Sequence, residues 1–428
     1  MVEVFNLGSS PAVTSMLENN SVVVEIDGSI RRITLDNFMT SIQTGALDIK
    51  QYGWGVPLKQ TQSSQNWGVM GNTAMWNAFK NEVGRYLLTP DGKMAKLSKT
   101  NSAYFADGTA VDETKGNIMV SGPRIYFDVR TDATTGIPVL WGSFNPISKH
   151  YIDAPVLGAY WGYVLDGKLI SRSGFVATRS KNIRAFHANA RANGNDYGLY
   201  DYEGALKYLF MLNLFEYGNP NVQENIGYGC CGDGNTWDAV NNTVKTGATI
   251  ALGDACGAID ISSVAGNAKA CRVSLFGLED LWGVYWNMIQ GIYFGNSANE
   301  GQNGSEVFVY KGNRMPTDAE LATHPNGDYR QFTRLTSPTE GWIKEMIFGE
   351  FFDILPKTLG GGSGSYLGDY SWQNTTGQLC LWGGNANHGT HCGLGSSGSH
   401  NAFSSSGTSI GARLAYYGKP VIVNGADI

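Results

Sequence analysis

An α+β fold, with strands and helices segregated along the chain, is the class this sequence predicts. Two observations lead there. Short apolar runs separated by Gly, Pro and Asp-Gly signals crowd residues 116–170, and two helical patterns follow them. That order suits a sheet with helices to one side, not a doubly wound sheet. Composition agrees: 56 glycines, 12% aromatic residues and only 16% charged residues point to irregular backbone around an apolar core.

The first element is a hairpin. Val22-Val23-Val24 leads through Asp27-Gly28, a type I′ signal, into Ile30-Arg31-Arg32-Ile33. Leu35, Phe38, Met39 and Ile42 then repeat at helical spacing and stop at Gly45. Residues 72–86 read as a second helix, capped by Asn72 or Thr73, whose stripe of Met75, Trp76, Phe79 and Val83 is a packing or oligomer surface. The polar stretch from about 88 to 115, with Pro90-Asp91-Gly92 and Asp107-Gly108, is read as a boundary. It divides an N-terminal attachment or oligomerisation region, 1–100, from a main domain, 116–428.

Strands are expected at Ile118–Val120, Ile125–Val129 and Val139–Phe144, then a hairpin from the 159–165 run through Asp166-Gly167 into Leu169-Ile170. Ser180 is read as the cap of a helix carrying Ile183, Phe186, His187 and Ala190 and ending at Gly194. Asp201 caps a stronger one with Leu206, Leu209, Phe210 and Leu212. Residues 218–275 read as loop. Trp342, Ile343, Met346 and Ile347 sit at helical spacing, Gly360–Ser365 is a hinge or loop, and Leu414–Tyr417 and Val421–Val423 are closing strands.

Some function classes are excluded early. A net charge of −6 over 428 residues gives no basic footprint for nucleic acid. The opening MVEVFNLGSSPAVTSM lacks a basic region followed by an apolar core, so no secretory signal is expected. The apolar runs fall far short of the roughly 18 residues a membrane span needs. Six cysteines, with Cys230 and Cys231 adjacent, make no CxxC pattern, and a cytoplasm would keep them reduced.

The most unusual stretch runs from Leu381 to Leu414. Between Asp369 and Arg413 it holds no acid or base. A frame of Trp382, Gly383, Gly384, Asn387, Gly389, Gly393, Ile410, Gly411 and Arg413 has the character of backbone-setting and packing residues. Interleaved with it are small or oddly assorted residues: Ala386, His388, Thr390, His391, Gly395, Ser396, Ser397, His400, Phe403, Ser405 and Gly407. Trp382, Leu394, Phe403 and Ile410 argue against a floppy Gly/Ser linker, to which such anchors bring nothing.

Residues Gly277–Asn287, GLEDLWGVYWN, resemble the G-L-x-D-M-x-G-N-V-x-E-W signature of the formylglycine-generating enzyme (sulfatase-modifying factor) family. Gly383-Gly384 and Ile410-Gly411-Ala412-Arg413 resemble its later R-G-G-S and G-F-R elements, in the same order. That resemblance implies a C-type-lectin-like fold over roughly residues 116–428. Asn287 departs from the acidic residue common in the family. The 381–414 stretch is also similar to the variable regions of proteins diversified by a retroelement, among them phage tail receptor-binding proteins. There, randomised adenines turn Asn codons into Ser, Thr, Gly, Ala, His or Phe codons. Val24–Gly28, Arg31–Ile33 and Phe215–Gly218 with Gln223 and Ile226-Gly227 likewise look like phage tail proteins.

The resemblance implies a non-enzymatic receptor-binding protein of the virion tail, made in the bacterial cytoplasm. Its partners would be a host-cell surface receptor, protein or glycan, and other tail proteins; its assembly would be a homotrimer, with no cofactor and no membrane insertion. A cell-surface adhesin with the same module is the first alternative. The second is a formylglycine-type oxidase, which needs a reactive cysteine pair; here His388 occupies the first such place and Cys392 has no nearby partner along the chain. A metal site from His388, His391 and Cys392 has no fixed geometry in a Gly-rich loop. Glu279 and Asp280 suit buried hydrogen bonds to backbone better than acid–base work, and Arg413 is expected to pair with a buried carboxylate. The interleaved residues are expected to face solvent, with Phe403 and the histidines as anchors of binding.

Overall fold

The computed structural model describes residues 21–26, 29–45, 47–60, 67–234, 244–298, 303–310, 312–322, 329–336 and 339–428. The Asp27-Gly28 turn and the N-terminal sixteen-residue segment read for a signal lie outside them. The protein is a mixed α and β structure. No helix among the described residues is long and apolar enough to cross a membrane.

Strands Ser21–Ile26 and Ser29–Thr34 pair antiparallel with Val22 opposite Ile33. Helix Leu35–Gln43 follows, its first turn capped by Thr34, whose hydroxyl accepts from the Asn37 N–H at 3.2 Å. Phe38 and Ile42 bury its inner face. The helix expected over 72–86 spans Thr73–Glu82 with Asn72 as its cap. Its stripe is core: Trp76 and Phe79 pack on Trp54 and Phe215, and Glu216 takes both the Trp76 N–H and the Lys80 ammonium.

A seven-stranded sheet joins strands from residues 84–121 to strands near the C-terminal end. Its order is Tyr197–Leu199, Leu414–Tyr416, Val156–Gly158, Asn117–Ser121, Gly84–Leu88, Lys93–Lys96 and Val421–Val423. The stretch 88–115, read as a domain boundary, therefore lies inside one sheet, whose strands come from both sides of it. The C-terminal strand Val421–Val423 even pairs parallel with Lys93–Lys96.

Against these elements packs a helix with no solvent face. A π-helical turn, Tyr202–Leu206, is capped by Asp201, which accepts from the Gly204 and Ala205 N–H groups. It runs into Lys207–Tyr217, buried from Lys207 through Phe215 and closed by Gly218 at φ 61°. The buried Lys207 ammonium is held by Glu203 at 2.9 Å and Asp353 at 3.1 Å. The earlier helix spans Ile183–Arg191, and its cap is Asn182, not Ser180: Asn182 accepts the Ala185 N–H at 2.9 Å, while Ser180 sits at φ 59°.

The nine-stranded sheet carries the 381–414 stretch. Its order is Tyr329–Thr333, Glu306–Tyr310, Trp286–Phe294, Leu379–Trp382, Ser397–Asn401, Tyr370–Trp372, Gly341–Phe348 and Asp353–Leu359, with Ile410–Gly411 paired parallel to Trp286-Asn287. Residues 341–348, read at helical spacing, are thus a strand. Register shifts along its pairing with Asp353–Leu359 bring Ile343 and Met346, three apart, to the same buried side. A bulge makes a strand imitate a helical repeat. Gly360–Ser365 is a loop, as expected.

Candidate ligand-binding surface

The Tyr370–Trp372 strand sets the surface. Alternation points Ser371 inward, where its hydroxyl lies 3.2 Å from that of Ser397, and leaves Tyr370 and Trp372 half-buried on the outer face. On the neighbouring strand Trp342 stands directly opposite Tyr370. The glycines of the frame then return the chain over this face. Gly383 and Gly384 take φ 91° and 73°, and a Cβ on Gly384 would sit 2.6 Å from the Cys392 sulfur. A short 3₁₀ turn, Gly389–His391, follows, with His388 and His391 at its two ends.

The result is a continuous shelf of rings. His391 lies 4.4 Å from Tyr370 and 4.6 Å from Trp342, centroid to centroid. Tyr370 lies 4.5 Å from Trp372, and His388 covers Trp372 at 4.6 Å with planes 32° apart. Trp286, 4% exposed, supports Trp372 edge-on from beneath at 5.2 Å. His400, exposed, flanks the Trp372 backbone. The floor is tied down from elsewhere in the chain: buried Gln223 donates to the Thr390 carbonyl at 2.9 Å and to the Cys392 carbonyl. Thus His388, Thr390, His391 and His400 come together, and Trp342, Tyr370 and Trp372 join them unforeseen. The Tyr-Ser-Trp alternation was the available signal for the last two.

The rest of the interleaved set does not face solvent. Ala386 is 0% exposed, Ser396 0%, Ser397 1% and Phe403 5%, and Gly395 is also buried. Each has a physical reason. The Ser396 hydroxyl is satisfied by the His391 carbonyl and the Ser397 hydroxyl by Ser371, so neither needs water. Gly395 lies against buried Asp369, whose carboxylate accepts its N–H at 2.6 Å. Phe403 packs edge-on to Tyr293 in the apolar core and does not reach out toward solvent. Ser405 and Gly407 are half-buried, the Gly407 carbonyl accepting the Ser180 N–H. The anchors Trp382, Leu394 and Ile410 are buried as expected, but Asn387 of the frame is exposed.

Arg413 departs from its expected role. Its guanidinium, 0% exposed, donates to the Glu279 and Asp280 backbone carbonyls and lies 4.5 Å over the Trp161 ring. The carboxylates of Glu279 and Asp280 belong instead to Arg272. Cys392, without a neighbouring thiol in sequence, meets Cys231 in space, and burial followed by that contact pushes the Cys231 thiol well above its ordinary range.

Burial holds the three histidines of the shelf toward the neutral form. His388 is lowered from 6.5 to about 4, first by desolvation and then by His391 and His400. Desolvation also lowers His391 and His400, with Glu340 partly opposing it at His400. The His388 Nδ1 accepts the Asn385 N–H at 3.4 Å, a bond that protonation there removes. The unfolded chain takes up a proton at His388 near pH 6.5 and the folded chain only near pH 4. This stabilisation is therefore fully present above pH 6.5 and is lost as the pH falls toward 4. We expect His388→Gln to flatten the acid limb of the stability curve by up to about 3 kcal/mol. Denaturant unfolding of both proteins between pH 7.5 and pH 4 measures it, and parallel curves would refute it.

No family model matches the chain, and no curated protein matches it.

Proposed function

We propose that this chain is a non-enzymatic binding protein that presents a diversified surface on a rigid sheet. The observation that carries this is the shelf: four interleaved residues, His388, Thr390, His391 and His400, collect on one charge-poor aromatic face, and fixed glycines set the loop. Side chains on a stiff support can be exchanged without refolding it. A buried Cys231 thiol pushed away from thiolate speaks against thiol chemistry of the oxidase kind.

More particularly, the reading is a receptor-binding protein of a phage tail. It has a C-type-lectin-like fold, a retroelement-diversified region about 381–414, and a host-cell surface molecule as its ligand. Assembly as a homotrimer would multiply weak single sites through avidity. The test is a joint exchange: His388→Ser, Thr390→Ala, His391→Asn and His400→Ser, with Phe403 left in place. Labelled protein applied to a panel of bacterial strains should change or lose its strain preference, while melting moves by only a few degrees. Unchanged preference removes the reading. So does the absence, beside the gene, of a near-copy of the 381–414 coding stretch differing only at adenines.

A further inference from the structure

The shelf also has a chemistry, and it narrows the ligand. We propose that it takes a neutral saccharide, one pyranose ring laid on the outer face of the slab that Tyr370, Trp372, His388 and His391 form together and its hydroxyls bonded at the rim. This rests on the reading of the shelf as a ligand surface. Three features of the site lead to it.

First, the rings touch one another. With centroids of Tyr370, Trp372, His388 and His391 spaced 4.4–5.6 Å apart in successive contacts, no cage opens between them. That leaves no room to surround a methylammonium group, which needs ring faces on several sides. A packed slab offers its outer face only. A pyranose presents a complementary face, because its axial C–H groups form an apolar, weakly positive patch that suits the negative face of an aromatic ring.

Second, the surface is nearly free of formal charge. Residues 370–412 hold no Asp, Glu, Lys or Arg. Glu340 is the charged group that acts on both His400 and Tyr370. No Lys or Arg among residues 370–412 offsets the desolvation of a carboxylate, sulfate or phosphate on a ligand, and Glu340 repels it. Third, the rim is made of groups that both donate and accept: the imidazoles of His391 and His400, the hydroxyl of Thr390, and the exposed amide of Asn387. A hydroxyl also does both, so each rim group can serve a sugar oxygen in either sense.

The experiment is a glycan array at pH 7.5 with the full chain. Neutral hexose and N-acetylhexosamine oligosaccharides are printed beside sialylated, uronate-bearing and sulfated ones. Binding to at least one neutral class is expected, with Trp372→Ala weakening it by about tenfold or more. Where Trp372→Ala folds poorly, Tyr370→Ala is the second stacking variant: it should weaken binding likewise, and a folded Tyr370→Ala that binds like the natural protein counts against the assignment. The assignment is overturned by silence on every neutral spot, by preference for acidic ones, or by a folded Trp372→Ala that binds like the natural protein. Blotted surface-protein extracts of the same strain panel separate the two levels. If extracts bind, the array is silent and the four-residue exchange abolishes binding, the saccharide falls and the ligand surface stands. If the exchange changes neither, the ligand surface falls too.

Discussion

Replacing Arg272 by methionine is expected to cost about 3–5 kcal/mol of folding stability at pH 7. The guanidinium is 4% exposed and bridges two carboxylates, Asp280 at 2.6 Å from Nε and Glu279 at 2.7 Å from Nη2. Both acids are themselves at 1% exposure or less. Their other partners are fixed donors: the Gly247 and Thr249 N–H groups and the Thr249 hydroxyl for Glu279, and the Val273 N–H for Asp280. Methionine keeps the apolar stem and removes the charge, so two carboxylates remain buried with only neutral donors. The loss comes from leaving charges uncompensated, not from the net worth of the ion pair. Burial raises the Asp280 carboxyl above 3.8 even with Arg272 present, and its removal raises it further. The penalty is therefore absent below the unfolded value, grows between the unfolded and folded values and is complete above the folded one, so the gap between the two proteins narrows in acid. Denaturant titrations at pH 7 and pH 4.5 read both numbers. Asp280→Asn added to Arg272→Met should recover part of the loss. A single variant within about 1 kcal/mol of the natural protein at pH 7 would mean that this junction is not dry.

The same junction shows what the sequence could and could not reveal. Glu279 and Asp280 beside Trp282 were legible as buried acceptors, yet which arginine served them was not, because Arg272 and Arg413 differ only in where the fold places them. Local chemistry read well. Asp166-Gly167 adopts φ 50° and 79°, as a type I′ hairpin requires, and Asn72 and Asp201 cap the helices expected of them. Non-local pairing did not. The parallel contact of Val421–Val423 with Lys93–Lys96 erases the boundary that polarity suggested near residues 88–115. In the 381–414 stretch, small polar residues carry no mark of burial: Ser396, Ser397 and Gly395 read like His388 and Thr390 until their partners are seen. The neighbours that complete the shelf, Trp342 and the Tyr370/Trp372 pair, precede that stretch and reach it only through strand pairing.

Alanine at Gly393 should be among the most damaging small changes in the 381–414 stretch, with a loss of about 3 kcal/mol. A Cβ there would lie 1.9 Å from the Asp369 Oδ1, and at Gly395 2.6 Å from its Oδ2 and 2.7 Å from the Met346 methyl. Asp369 cannot step aside freely. It is 1% exposed, and its carboxylate accepts the Gly395 N–H at 2.6 Å. Its own backbone carbonyl accepts the Ile343 N–H at 2.9 Å. Moving the carboxylate breaks that first bond, and moving the loop lifts His391 off Tyr370. Both glycines are thus frame, although Gly395 sits among the interleaved residues. Adding Asp369→Ala to Gly393→Ala removes the obstructing oxygens, so the double variant should lose less than the sum of the two singles. Strict additivity would place the clash elsewhere. The wider consequence concerns which positions can vary at all. Saturation libraries at residues 388 and 395, sorted for folded protein, should return many side chains at 388 and almost only glycine at 395. Large residues recovered freely at 395 would mean that the loop is not seated on Asp369 and that the shelf has no fixed floor.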